Sequence, residues 1–169
     1  IRDSLWLVLT GCTQEKKEFT VLQWNIWQEG TMVPGGYEAI VDEIIRLRPD
    51  FVTLSEVRNY NNTNFTARLT RSLKEKGETY YSFYTYDTGL LSRYPITDSL
   101  TVFPENGDHG SIYRLTTDMN GKKMAVYTSH LDYLDDAYYN VRGYDGSTWE
   151  EIPIPTTVEE VLERNVASQ

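Results

Sequence analysis

An α/β domain is what this sequence predicts, and three stretches predict it. A strand, a helix and a second strand follow one another between Phe19 and Val57. That spacing makes a βαβ unit, whose two strands run parallel. A second helical pattern, with Phe65, Leu69 and Leu73 on one face, is followed by short apolar strands. Later, "SIYRLTTDMNGKKMAVYTSH" reads as an antiparallel hairpin, because Asn120-Gly121 is a preferred pair for a type I′ turn. The 169 residues suit one domain, and 40% apolar content is enough for a core.

Residues 1–18 stand apart as a candidate lipoprotein signal and tether. "SLWLVLTGC" is a short apolar run ending in Leu9-Thr10-Gly11-Cys12. It resembles the lipobox of bacterial lipoproteins, in which the Cys becomes the lipidated first residue. The short leading region and Asp3 depart from that pattern, so a plain N-terminal strand or helix is the alternative. A lipidated Cys12 would anchor the chain to a membrane and place it in the cell envelope. Without it the chain would be secreted or cytoplasmic.

The domain proper, residues 19–169, opens with "FTVLQWNIW", apolar on both faces as expected of a central strand. "EGTMVPGG" is a loop, by its Gly and Pro. "YEAIVDEIIRLRPD" places Ile40, Val41, Ile44 and Ile45 on one helical face, and Pro49 ends it. "FVTLSEV" is the second strand. A polar loop leads into the second helix, which Gly77 stops. "TYYSFYTYD", "GLLS" and "DSLTVF" are strand-like, with a turn at Tyr94-Pro95 after the second. From Leu134 to Pro155 the chain is rich in Tyr, Asp, Gly and Pro and has no periodicity, which predicts a loop. A final helix starts at Thr157, which forms a capping box with Glu160.

Charge narrows the function. A net charge of −9 argues against a surface whose main task is gripping duplex nucleic acid, which needs Lys and Arg. It fits a site that gathers divalent cations, and equally a surface charged only for solubility. One cysteine rules out an internal disulfide. No apolar stretch approaches the roughly 20 residues that span a bilayer.

Parallel strands share a rim at their carboxyl ends, where α/β sheets bind ligands. Asn25 lies near the end of the first strand and Glu56 near the end of the second. Their oxygens are hard donors of the kind Mg²⁺, Mn²⁺ or Ca²⁺ takes. His130 ends a later strand and could reach the same rim. Taken singly, each could equally be a solvated or turn-bonding residue.

Four stretches in order, "LQWNIW", "RPDFVTLSEV", "GLLSRYPI" and "YTSHLDY", resemble the endonuclease/exonuclease/phosphatase superfamily, the deoxyribonuclease-I-like fold. The resemblance covers Phe19 to about Asp132. It implies a two-sheet α/β sandwich with a divalent metal at one edge, and a phosphoesterase that uses metal-assisted water attack. Asn25 matches the family's Asn near metal and phosphate, and Glu56 its metal-binding Glu. His130 matches the His that contacts the scissile phosphate, and Asp132 a residue supporting that His or its loop. Ser92, Arg93 and Tyr94 match a family signature read here as structural. Trp27 stands where some nucleases of the family carry an acidic residue. That weakens a DNA-repair-nuclease reading and leaves phosphatase or lipase-like members open, while the charge of −9 makes a small phosphodiester, a lipid headgroup or a sugar phosphate the expected substrate ahead of duplex DNA.

In the family, a Gly-Asp-Phe-Asn motif and a terminal Asp-His pair supply further ligands and the base. Neither motif occurs here, and His109, in "NGDHGS", reads as a loop residue. The sequence therefore matches the N-terminal portion of the family domain. As such it is expected to be inactive or nearly so alone, with an exposed apolar inner sheet face needing a complementing half or self-association. The competing expectation is a non-catalytic surface lipoprotein that binds carbohydrate or another ligand through Tyr138, Tyr139, Tyr144 and Trp149. Two sequons, at Asn61 and Asn64, would stay bare in a bacterial lipoprotein.

Overall fold

The computed structural model describes residues 18–104, 110–131, 137–146 and 148–164. Two sheets lie face to face, with helices on the outer face of the first. In the first sheet, β1 (Val21–Asn25) runs parallel to β2 (Phe51–Val57), as the βαβ spacing requires. Antiparallel β4 (Asp87–Ser92) lies on the other side of β2, and the short β3 (Tyr81–Ser82) closes the order β1-β2-β4-β3. The second sheet is an antiparallel meander, β5 (Ile96–Phe103), β6 (Gly110–Met119) and β7 (Lys122–Leu131). The turn between β6 and β7 is Asn120-Gly121, both residues at positive φ, as a type I′ turn demands.

Helix α1 (Gly36–Leu47) buries Ile40, Val41 and Ile44 against the first sheet. It ends where Arg48 takes a left-handed conformation and donates its N–H back to the Ile44 carbonyl, just before Pro49. Helix α2 (Phe65–Glu75) starts at Asn64, whose Oδ1 accepts from the Ala67 N–H. Its Phe65, Leu69 and Leu73 are fully buried beside Val52, Leu54 and Leu91. Each such side chain contributes about 1.5–3 kcal/mol of burial free energy. A second cluster joins the two sheets: Phe51 and Leu90 from the first meet Tyr113, Leu115 and Met119 from the second.

Four expectations are corrected. The expected open inner face is closed only in part. That second cluster joins the sheets, yet Val21, which pairs with Phe51 of the cluster, and Phe19, whose ring packs on Phe51, stay exposed on the same side of β1. Leu100, Val102 and Phe103 of β5 are exposed as well. β1 is an edge strand of its sheet, with Val21, Gln23 and Asn25 exposed, and not a central one. The strand expected over 79–87 shortens to β3. Beyond it the backbone carbonyls bond to side chains: Phe83 accepts from Thr66, Thr85 from Asn59, and Tyr86 from Ser111. Those bonds satisfy the groups that a ladder would have used.

The fourth is the stretch expected to be a loop, which contains the short helix α3 (Ala137–Asn140) and a small hairpin closed by pairing of Tyr144 with Glu151. The last helix, α4 (Val158–Arg164), has half of its expected cap. Thr157 Oγ1 accepts from the Glu160 N–H, while the Glu160 carboxylate reaches Thr156 N–H at 2.7 Å. No helix among the described residues is long and apolar enough to cross a membrane.

Candidate active site

Register carries Asn25 to Glu56. Asn25 pairs with Ser55 across the parallel strands, so Glu56 lies one residue beyond it at the same rim. Asn25 Nδ2 donates to Glu56 Oε1 at 2.7 Å, and the Gln28 N–H donates to Oε2 at 2.9 Å. Asn25 Oδ1 in turn accepts from the Trp27 N–H at 2.9 Å. Glu56 itself sits at a bulge: the β2–β4 register shifts between Ser55 and Val57, and Glu56 takes φ +69°. A bulge re-aims one side chain at a strand end. Here it turns the carboxylate toward the rim.

The loop after β1 is built for this grip. Trp27, Gln28, Glu29 and Gly30 all have positive φ in succession. The Ile26 N–H bonds to Ser55 O and the Glu29 N–H to Glu56 O, which ties the loop to the end of β2. Gly36 packs so closely that an added Cβ would lie 2.1 Å from the Gly30 carbonyl oxygen. The Glu29 side chain is buried, and its Oε1 accepts from the N–H groups of Arg58 and Asn59 at 3.0 and 2.6 Å. Burial pushes the Glu29 carboxyl up, against the pull of those two hydrogen bonds and of Arg68.

A second pair approaches from the other sheet. Asp87 opens β4 and is fully buried. Its Oδ1 accepts from Arg58 Nη1 at 2.8 Å and from His130 Nδ1 at 2.9 Å. Its Oδ2 lies 3.5 Å from Ser111 Oγ, and Ser111 is the β6 residue paired with His130 of β7. A buried carboxylate is tolerated because both charged neighbours compensate it. The Asp87 hydrogen bond raises the His130 pKa most. Burial opposes the rise, the charges of Asp87 and Glu56 add to it, and Arg58 lowers it. With Nδ1–H given to Asp87, the Nε2 atom is the one left for a ligand.

Glu56, His130 and Arg58 line one cleft of about 630 Å³ together with Trp27, Gln28, Tyr60, Tyr86 and Trp149. Gln28 Oε1 accepts from the Tyr60 hydroxyl at 2.6 Å, which fixes that wall. Four of these eight residues, Trp27, Gln28, Glu56 and Trp149, have positive φ. Non-glycine residues rarely adopt it, and such strain gathers at functional sites.

Among the described residues no group of three or more His, Cys, Asp or Glu side chains could hold a metal ion. Glu56 offers one carboxylate, fixed by Asn25 and Gln28 and facing the cleft. That donor set suits Mg²⁺, which keeps several waters and uses one or two carboxylates.

The structure thus brings three of the sequence-derived site residues, Asn25, Glu56 and His130, to one rim. Asp132, His109 and Cys12 lie outside the described residues. Arg93 pairs with Glu78 at 2.8 Å and Tyr94 bonds Asp50 at 3.2 Å, away from the cleft, in keeping with a structural role. Of the aromatic segment, Trp149 reaches the cleft. Asp87, Arg58 and Glu29 were missed by the reading of the sequence. The signals were thin: an Asp opening the otherwise uncharged "DTGLLS", and an Arg two places after Glu56.

The profile of the Endonuclease/Exonuclease/phosphatase family matches residues 22–158. No curated protein matches. Among solved structures, a humanized D. rerio TDP2 has 18% identity and a TM-score of 0.53, over 73% of this chain and 55% of that one. An endonuclease/exonuclease/phosphatase from Beutenbergia cavernae has 21% identity and a TM-score of 0.52, over 70% of this chain and 39% of that one. ANGEL2, described as a 2',3'-cyclic phosphatase, has 15% identity and a TM-score of 0.54, over 69% of this chain and 42% of that one. The chain thus spans about half of these structures or less, and at such identities they speak to the fold. Two face-to-face sheets with the Asn25–Glu56 rim, and a family profile that covers most of the chain, lead to one conclusion: this chain belongs to the Endonuclease/Exonuclease/phosphatase family.

Proposed function

We propose that the protein containing this chain is a divalent-metal-dependent phosphoesterase, and that these residues form its metal- and phosphate-facing side. The observation that carries the reading is the convergence of two clamped pairs, Asn25–Glu56 and Asp87–His130, on one cleft. Glu56 would hold the cation, Mg²⁺ with Mn²⁺ or Ca²⁺ as alternatives, and Asn25 holds Glu56. The cation supplies positive charge that offsets the phosphoryl oxygens and the leaving oxygen.

The chain's own residues do the rest. Asp87 anchors His130 through Nδ1 and favours its protonated form, so Nε2–H points a hydrogen bond at a non-bridging phosphoryl oxygen. In the reaction, a water oxygen bonds to phosphorus and releases a proton to solvent, the ester P–O bond breaks, and the leaving oxygen takes a proton from solvent. A protonated His130 suits a donor and not the base that takes the water's proton.

The test is hydrolysis of a chromogenic phosphodiester and a phosphomonoester by the full-length protein with Mg²⁺ and after chelation. Chelation, Glu56→Gln and His130→Gln are each expected to reduce turnover at least about 100-fold. Turnover that survives chelation and both substitutions would overturn the reading.

A further inference from the structure

Residues 143–146 and 148–152 close on each other in a form that the hydrolytic reading does not use. The closure is dense for so short a segment. Ile152 N–H bonds Gly143 O at 2.8 Å, Asp145 N–H bonds Glu150 O at 2.9 Å, and Trp149 N–H bonds Asp145 O at 3.0 Å. The Asp145 carboxylate accepts from the Thr148 N–H at 2.8 Å. Gly143 takes φ +82° at the start of the turn, a conformation that side-chain-bearing residues adopt rarely.

All of this places Trp149. It holds φ +62°, which for so bulky a residue is strain that its surroundings must impose. Tyr139 meets the indole at 4.9 Å and 73°, and Tyr138 backs Tyr139 at 5.1 Å. Yet Trp149 stays 63% exposed and lines the cleft that holds Glu56 and His130. Trp27, from the loop after β1, lines the same cleft and is 55% exposed. A strained, braced and solvent-facing indole contributes little to stability, since an exposed ring has lost little contact with water. Its open face is available to a ligand in the cleft.

The cleft limits what that ring carries. Arg58 and His130 are its two basic residues, and both are tied to Asp87. That is enough for one phosphate and poor for a polyanion. A volume of about 630 Å³ matches a single small ligand. We propose that Trp149 is the specificity-determining residue of the site, with Trp27 as second wall. It selects single-phosphate esters whose alcohol portion is a ring, a sugar or a nucleoside, over acyclic ones. The proposal rests on the phosphoesterase reading and deepens it.

The experiment uses the full-length protein with Glu56→Gln added to slow turnover, and adenosine monophosphate, glucose 1-phosphate and glycerol 3-phosphate as probes. Their dissociation constants are measured, together with the Trp149 indole N–H signal by NMR. A ring ester should move that signal and bind more tightly than glycerol 3-phosphate. Trp149→Ala should reduce this ring preference by about 10- to 100-fold, as expected for one stacked ring, and Trp149→Phe should restore most of it. Preference for adenosine monophosphate alone supports a nucleoside substrate, for glucose 1-phosphate alone a sugar, and for both a general ring filter. Equal binding of all three, insensitive to Trp149→Ala, would overturn the inference and leave the phosphoesterase reading standing. Binding of none, with no hydrolysis by the unsubstituted protein, would overturn both.

Discussion

Replacing Asp87 by Asn removes one negative charge from a fully buried position and leaves two donors facing it. Those donors are Arg58 Nη1 at 2.8 Å and His130 Nδ1 at 2.9 Å, both on the same oxygen. The Arg58 side chain is itself 11% exposed, so water cannot readily replace the lost partner. Breaking a buried pair by removing one partner costs about 3–5 kcal/mol. An Asn retains one acceptor oxygen, which favours the lower end, about 3 kcal/mol. At this chain length 1 kcal/mol moves Tm by roughly 2–4 °C, so a fall of about 6–12 °C is expected.

The same substitution should alter the pH dependence. His130 is raised in the folded state, chiefly by its Asp87 hydrogen bond. Its contribution to stability is therefore full below the unfolded pKa of about 6.5, and it is lost as pH rises through the folded value. Asp87→Asn should flatten that slope and lower the His130 titration midpoint, read by NMR, while calorimetry gives Tm. A Tm within about 2 °C of the parent, with an unmoved His130 midpoint, would refute the claim that Asp87 positions and charges this histidine.

Other perturbations separate the parts of the site. Gly36→Ala would drive a Cβ to 2.1 Å from the Gly30 carbonyl oxygen, and backbone cannot yield as a side chain tip does. A loss of about 3 kcal/mol in urea unfolding is expected, together with weaker cation binding as the Trp27–Gly30 loop shifts. Glu29→Gln tests the buried carboxyl. Because its pKa is raised by burial, stability should fall as pH rises from 4.5 toward the folded value, and Gln should remove that slope in pH-dependent denaturation. Glu56→Gln keeps an acceptor for the Gln28 N–H but turns an NH₂ toward the Asn25 Nδ2 donor and loses the charge. Calorimetric titration should show Mg²⁺ affinity falling by about tenfold or more, with a Tm loss of only about 2–4 °C for the one hydrogen bond given up.

How much of this was legible in the sequence depends on range. The βαβ unit and the β6–β7 hairpin were readable because local signals agree: apolar periodicity in α1 and an Asn-Gly pair at the turn. Glu56 and Asn25 were readable because both strand ends lie close in sequence to strong patterns. The bulge that turns Glu56 was not, since it arises from register with β4, a strand that comes only after α2 and β3. Asp87 escaped because its partner His130 is 43 residues away in another sheet. β3 was over-extended because Thr66, Asn59 and Ser111, all distant in sequence, take the carbonyls a longer ladder would have used. Trp149 lies in a segment without periodicity, where aromatic composition hinted at binding but could not say at which surface.

The most direct measurement follows the His130 ring by NMR while Mn²⁺ is added as a paramagnetic stand-in for Mg²⁺. Loss of the signal in His130→Gln assigns it. A cation held by Glu56 in the shared cleft should broaden the His130 resonance at low Mn²⁺, and Glu56→Gln should abolish the effect. A His130 signal that stays sharp while Mn²⁺ binds elsewhere, or that broadens equally without the Glu56 carboxylate, would contradict the account.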